Sequence, residues 1–592
     1  MGDVMIKLFK YFTKKDWLFS FVSFCFIFAQ VWLELKIPDY MSEITKLVQT
    51  EGSKMSSIIE NGGYMLLCAF GSFIAAVAVG YFISYISADF SRSLRSKLFR
   101  KVESLDVHEV KQFSPASLIT RTTNDITQIE MFIGMGLQLL IKAPITAIWA
   151  ITKIMNKSWQ WSVVTALSVV IVLSVVISLM VIVVPKFKLI QKLIDKLNLV
   201  TRENLSGIRV VRAFNAEKYQ TEKFEDVNTN LTNIQMFNQK AFAIMSPMMF
   251  MVMHMMTLAI FFIGAYLIGG ALLVDKVSIF GDMIVFSSYS TQIIMSFLLL
   301  AMIFMIMPRA QVSAKRIREV LDTDISIIDG TITKHQSDVR GKVEFKNVSF
   351  KYPDAEEYLL ENISFTVNKG ETIAFIGSTG SGKSSLIHLI PRFYDVTDGE
   401  VLIDDINVKE YKESFLHELI GYVPQKAVMF QGSIKDNIAY GKGNKKVTID
   451  SVKEAIRIAQ AKEFVDKMAG KEKAFVASSG TNISGGQKQR LSIARAIAKN
   501  PEFYIFDDSF SALDYKTDAT LRKELKKYTK DATTFIVAQR IGTILNADKI
   551  IVLDQGKCVG IGTHKELLKK CSVYKQIALS QLSKEELNHE GK

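Results

Sequence analysis

Cysteine is scarce: the 592 residues hold four, Cys25, Cys68, Cys558 and Cys571, far apart and with no C-x-x-C pair. That spacing gives neither a disulfide framework nor a cysteine zinc site. Charge is missing where a soluble protein would carry it, with no Asp, Glu, Lys or Arg between Trp159 and Val184. A small-residue cleavage site is missing too. Met1 to Asp16 carries Lys7, Lys10, Lys14 and Lys15 ahead of an apolar run that is too long for a signal-peptide core. The run reads as a first membrane helix held by a positive cytoplasmic flank.

What is present is apolar and basic, 49% hydrophobic with a net charge of +13. A basic balance points either to nucleic acid or to an anionic membrane surface. Long apolar runs decide for the membrane, and no nucleic-acid partner is expected. Six segments reach the roughly 20 residues needed to cross a bilayer. They are Trp17–Ile37, Gly62–Ser87, Met131–Met155, Trp159–Val184, Ala241–Val274 and Ile279–Met307. The connections after the second and fourth are long and basic, as in Ser91–Lys101 and Arg202–Arg212. By the positive-inside rule both face the cytoplasm, as do both termini. Their helical pattern has few breakers, chiefly Pro115 and Gly207, so each forms an arm projecting about 30–40 Å.

Beyond residue 341 the periodicity changes. Short β-rich runs, Val343–Phe350, Phe503–Phe506, Thr534–Ala538 and Ile550–Leu553, alternate with helical stretches. That alternation predicts an α/β domain with a largely parallel sheet. The expected division is a membrane domain over 1–325, a polar linker over 326–340, a nucleotide-binding domain over 341–582 and a polar tail over 583–592.

Gly377-Ser378-Thr379-Gly380-Ser381-Gly382-Lys383-Ser384 sits between a strand-like run, Thr372–Ile376, and a helix-like one, Ser385–Ile390. That is the P-loop pattern in its required context. The glycines let backbone N–H groups curl around phosphates, and the helix N-terminus adds its positive dipole end. Lys383 can reach the β- and γ-phosphates, and the Ser384 hydroxyl can ligate magnesium. ATP and Mg2+ are the expected cofactors.

Four apolar or aromatic residues lead into Asp507, as in a Walker B strand, and Asn482-Ile-Ser-Gly-Gly-Gln-Lys-Gln-Arg490 lies upstream. Together with Phe350-Lys-Tyr-Pro353 and Gly421-Tyr-Val-Pro-Gln425, these make the chain resemble an ABC transporter of the exporter type. In that family a six-helix, all-α membrane domain precedes an α/β P-loop ATPase domain. Phe113–Arg121 with Asn124-Asp125, and Glu203–Glu217, resemble the family's two cytoplasmic arms. The resemblance implies coupling helices near Val107–Ser114 and Arg212–Tyr219.

It also implies roles. Tyr352 stacks on adenine, and the P-loop with Ser385 holds the phosphates. Ser384, Gln425 and Asp507 serve magnesium, Gln425 also facing a coupling helix. Ser484, Gly485, Gly486 and Gln487 press on the γ-phosphate of ATP held by the other subunit, and Asp514 belongs to a loop crossing that interface.

The chain departs from the family at the hydrolytic positions. Asp508 stands where the family has the Glu that activates water, and Gln539 where it has the switch histidine. Asp is shorter by one carbon–carbon bond, about 1.5 Å, and Gln cannot hold a proton as an imidazole does. Val476–Gly480 lacks the acidic residue many exporters carry there. The resemblance then implies a half-transporter whose own site is degenerate, paired with a different half carrying the intact Glu and His.

Substrate is read from the membrane segments. Seven methionines lie between Met245 and Met256, with Phe250 and His254 among them, and such surfaces suit promiscuous apolar ligands. His254 is expected to pack in the core. Lys142 falls near the middle of the third segment, where a charge is costly. Glu34 and Asp282 are expected nearer the outer boundary. ATP-driven export of a hydrophobic or amphipathic compound across a bacterial-type cell membrane is the expectation, with membrane lipid as neighbour. Alternatives are a lipid flippase, a peptide exporter, or an ATP-gated regulator or channel without vectorial transport.

Overall fold

The computed structural model describes residues 7–50, 52–155, 157–336, 338–441 and 447–581. The tail assigned to 583–592 lies outside them. Two compact units emerge, one of Met1–Glu103 with Ser114–Thr323, the other of Ser104–Phe113 with Asp324–Lys592.

The first unit is helical, since a segment in hydrocarbon must satisfy its backbone hydrogen bonds internally. Its helices are α1 (Lys14–Gln49), α2 (Met55–Glu103), α4 (Pro115–Thr122), α5 (Asn124–Met131), α6 (Leu137–Ile154), α7 (Trp159–Ser206), α8 (Ile208–Ala213), α9 (Glu217–Gly270) and α10 (Leu273–Leu321). The short α3 (Val107–Gln112) belongs to the second unit. Six stretches among the described residues are long and apolar enough to cross a membrane. The third runs from Pro115 to Ile154, with α5 and α6 joined by a π-helical turn at Phe132–Gly136.

A capping box starts α1: the Thr13 side chain accepts from the Asp16 backbone, and Asp16 accepts from the Thr13 N–H at 2.8 Å. The helices outrun the apolar segments. α2 has 49 residues, about 70 Å at 1.5 Å each. The second arm's short helix lies at Ile208–Ala213, earlier than the expected Arg212–Tyr219, which straddles the break before α9. Gly207 and the left-handed Asn215 (φ 51°) set those limits.

Lys142 and Glu34, expected at different depths, form an ion pair at 2.9 Å and so share one level. Glu34 also accepts from Gln30 at 2.9 Å and Ser72 at 3.3 Å, so the cost of each charge is met by a partner. Lys153–Asp39 (2.7 Å) and Lys157–Asp282 (2.5 Å) follow along the same span. Tyr289 on α10 donates to Asp39 at 2.6 Å and to the Leu35 carbonyl at 2.7 Å. His254, expected in the core, is instead exposed on α9 beside the Phe250 ring. Met245, Met249 and Met256 face inward on that helix, while Met248, Met251 and Met255 face out.

Breaking the Lys142–Glu34 pair has a measurable cost. Lys142→Met leaves Glu34 without its cation and should lower stability by about 1–2 kcal/mol, less than for a fully buried pair because both groups are partly exposed. Adding Glu34→Gln should restore most of it. Thermal unfolding in nanodiscs reads both, and simple additivity of the two losses would contradict the pairing.

The second unit contains two principal sheets. Six strands run in the order β12-β11-β3-β10-β9-β6. They are β12 (Lys557–Gly562), β11 (Lys549–Asp554), β3 (Thr372–Gly377), β10 (Thr533–Val537), β9 (Phe503–Asp507) and β6 (Ile420–Val423). All neighbours are parallel except β11–β12. β9 and β10 are buried at every residue, as parallel strands covered on both faces must be.

Val343–Phe350 (β1) departs from the expectation of one largely parallel sheet. It lies in a separate antiparallel sheet ordered β2-β1-β4-β5, with β2 Leu360–Val367, β4 Asp398–Ile403 and β5 Ile406–Asn407. Its mixed burial is the mark of a strand with one wet face. The ribbon of β7 (Gly432–Ser433) and β8 (Phe475–Val476) completes the strands.

Within this unit, α3 and the segment after α10 are tied together. Asp106 accepts from the Ile327 N–H at 2.9 Å and Glu109 from the Ser326 N–H at 3.3 Å. Ile332 bridges to Tyr411, and Asp329 accepts from the Glu413 N–H at 2.7 Å.

Candidate functional site

The parallel register brings the carboxyl ends of four strands to one edge, where α/β sheets bind ligands. β3 ends at Gly377, β9 at Asp507, β10 two residues before Gln539, and β6 two residues before Gln425. Gly377 must be glycine: a Cβ there would stand 2.0 Å from the Leu553 carbonyl oxygen. Gly380 (φ +85°) and Gly382 (φ +91°) take the left-handed turns that curl the loop.

Lys383 donates to the carbonyls of Gly377 (3.0 Å) and Ser378 (2.7 Å), and burial lowers its pKa. Ser381 is buried beneath the loop, while Ser378 and Thr379 are exposed at its tip. The Ser384 hydroxyl donates to Asp507 at 2.7 Å, so the two residues read as magnesium ligands lie side by side.

Asp508 sits at φ 44°, a left-handed conformation that Asp tolerates better than most residues. One of its carboxylate oxygens accepts from both Gln539 (2.7 Å) and Gln425 (3.2 Å). Burial raises its pKa. Lys383, Ser384, Gln425, Asp507, Asp508 and Gln539 are thus gathered at one place.

Tyr352 stands close by through Ser385: the two hydroxyls are 2.8 Å apart. Its ring packs edge-on against Phe350 and Tyr394 at 5.0 and 5.2 Å. Lys111 of α3 donates to the Tyr394 hydroxyl at 2.9 Å, with its ammonium 5.7 Å from the Tyr352 ring centre.

Ser484–Gln487 are not brought to this cluster. They form an exposed capping box at the start of helix Gly485–Lys499, with Gln487 accepting from the Ser484 N–H at 2.9 Å. Among the described residues no hydrogen bond joins them to the P-loop. Asp514 caps helix Tyr515–Tyr528, accepting from the Thr517 N–H at 2.9 Å.

Sequence reasoning missed two neighbours of Asp507. Tyr422 donates to it at 3.5 Å, and His388, 3.0 Å from the Tyr422 hydroxyl, lies 3.7 Å from the same carboxylate oxygen. The signal was available. His388 follows Ser384 by one helical turn, and Tyr422 lies in the run that contains Gln425.

Comparison with known proteins matches residues 19–297 to the ABC transporter transmembrane region and residues 360–511 to the ABC transporter ATPase family. An uncharacterized ABC transporter ATP-binding protein of Mycobacterium tuberculosis is 38% identical over 92% of this chain and 93% of its own length. The chain belongs to the ABC transporter family. Other ABC relatives include an ATP-dependent lipid A-core flippase of Pseudomonas aeruginosa, 30% identical over 86% of this chain and 82% of its own. A putative multidrug export ATP-binding/permease protein of Bacillus subtilis is 32% identical over 84% of each. The fold matches that of a bacterial Atm1-family ABC exporter with ATP bound, at a TM-score of 0.80 and 21% identity, over 96% of this chain and all of that one. This ABC exporter is a multi-pass membrane protein with fused membrane and ATPase domains, and it couples ATP hydrolysis to transport.

Proposed function

We propose that this chain is one half of a heterodimeric exporter of hydrophobic or amphipathic compounds in the cell membrane, both termini cytoplasmic, and that its own P-loop binds ATP but hydrolyses it slowly. The observation that carries this reading is Asp508, short at the water-activating position and held by the amides of Gln425 and Gln539. A general base must come within about 2.6–3.2 Å of its water. A carboxylate one methylene short, with an oxygen already engaged, falls outside that reach.

ATP would lie on the P-loop with Tyr352 against the adenine, and Ser384 and Asp507, already side by side, would hold magnesium, which would supply charge neutralisation at the phosphates. Gln425, whose amide donates to Asp508, would serve the ion as well. ABC half-transporters commonly dimerise, and the free capping box at Ser484–Gln487, with Asp514 nearby, suits ATP on a partner's P-loop. Phe214 and Tyr219, 79% and 65% exposed at the tip of the second arm, offer that partner an apolar grip. ATP closes the two ATPase domains, the arms carry the closure to the membrane helices, and hydrolysis at the partner's competent site resets them.

Tyr352→Ala should weaken ATP binding by about 5- to 150-fold, the equivalent of about 1–3 kcal/mol of base stacking. Fluorescent-nucleotide titration of the full chain measures this, and unchanged affinity would remove Tyr352 from the site. Export itself is tested in sealed vesicles loaded with the purified transporter. A pump accumulates an amphipathic dye against its gradient only with ATP, whereas a gate merely equilibrates it. The lipid A-core flippase among the relatives supports a second reading, a lipid substrate, which a labelled-lipid flipping assay in the same vesicles would register.

A further inference from the structure

The segment between α10 and β1 meets the ATPase domain at a second cluster of titratable groups. His335 Nε2 lies 3.0 Å from Glu502 Oε1, and its Nδ1 lies 3.8 Å from Asp404 Oδ2. Asp404 comes from the turn between β4 and β5 and is only 1% exposed; Glu502 immediately precedes β9. Asp404 Oδ1 accepts from the Lys342 N–H at 3.0 Å, which fixes the carboxylate. Its other oxygen, Oδ2, is buried without a hydrogen-bond partner, as is Oε2 of Glu502.

A buried carboxylate oxygen left unpaired beside a second carboxylate is costly. Two cations stand near, Arg340 at 3.4 Å from Glu502, and Lys342, whose ammonium is taken by Asp405 (2.6 Å) and Glu344 (3.2 Å). Arg340 reaches Glu502 through Oε1 and is half-exposed, so it can turn to solvent. One ligand atom from each of His335, Asp404 and Glu502 lies within 4.8 Å of the others. A tetrahedral ion with bonds of about 2.0–2.2 Å holds its ligand atoms roughly 3.3–3.6 Å apart, which a small side-chain adjustment reaches from here.

We propose that His335, Asp404 and Glu502 form a binding site for a divalent transition-metal ion of the zinc class, fastening the inter-domain segment to the ATPase domain. One imidazole with two carboxylates suits a borderline ion over calcium, which takes six to eight oxygens. The ion would neutralise both carboxylates, satisfy the orphan oxygens and leave a coordination position for water.

The test uses the full-length chain in nanodiscs, stripped with chelator and dialysed against Zn2+ with excess Mg2+. Zinc per chain is counted by mass spectrometry for the natural protein, His335→Ala and Glu502→Gln. The natural chain should hold one zinc that each variant binds at least about tenfold more weakly. Zinc should also slow trypsin cleavage after Lys334 and Arg340 in the natural chain only. Retained ATP binding verifies that each variant folds. Equal zinc in all three proteins would overturn the site. So would an absence of zinc uptake with a linker that becomes trypsin-sensitive in His335→Ala, which would reduce His335 to a hydrogen-bonded clip.

Discussion

In the proposed heterodimer, with the catalytic Glu expected of the partner changed to Gln, Asp508→Glu combined with Gln539→His should raise the remaining ATP turnover by about tenfold to a hundredfold. The expectation follows from length and from hydrogen bonding. Misplacing a catalytic group by about 1 Å costs around a hundredfold, and Asp is one carbon–carbon bond, about 1.5 Å, too short. Both amides that now hold the Asp508 oxygen reach it because it is withdrawn. Glu extends the carboxylate past the Gln425 amide, and Gln539→His removes the other amide and supplies a ring that can hold or release a proton near neutral pH. Left-handed backbone at φ 44° suits Glu less well than Asp, so a small loss of stability should accompany the gain. Unchanged turnover in the double variant would mean that Asp508 and Gln539 are not what slows this site.

Gly485→Asp should abolish nearly all ATPase activity, by about a hundredfold or more, although residue 485 lies outside this chain's own P-loop cluster. A Cβ at Gly485 meets no atom within 4 Å, so the domain should fold normally. The new carboxylate would sit in the first turn of helix Gly485–Lys499, where bare N–H groups otherwise favour a phosphate. Facing the γ-phosphate it repels the ligand, and losing one oxyanion-stabilising contact alone costs about 10²–10³-fold. Normal ATP binding by this chain with lost turnover of the complex is the expected pattern. Full turnover would mean that Ser484–Gln487 complete no competent site.

Much of this was legible because the chemistry is local. The P-loop announces itself by glycine spacing between a strand and a helix, and the six spans by length and apolarity. What escaped depends on packing between distant segments. Lys142 looked isolated in its own segment, and only the approach of α1 to α6 supplies Glu34 from 108 residues away. The antiparallel sheet was hidden because β1 pairs with β2 and β4, whereas the alternation of strands and helices suggests parallel neighbours. His254 was placed inward on the rule that histidines pack, but it lies on the exposed face of its helix. His335 lies in a polar stretch with nothing local to mark it, and its partners sit 69 and 167 residues further along. Asp508 and Gln539 are the opposite case: each departure is visible in the sequence, yet that Gln539 and Gln425 both donate to one oxygen of Asp508 is visible only in the fold.

The most direct measurement is to tag this chain, purify it gently from its native membrane and identify any stoichiometric companion. A second ABC half carrying Glu and His at the positions matching Asp508 and Gln539 is the predicted result. Recovery of this chain alone, as a self-dimer whose vigorous ATPase disappears on Asp508→Asn, would contradict the degenerate-site account and make Asp508 a working base.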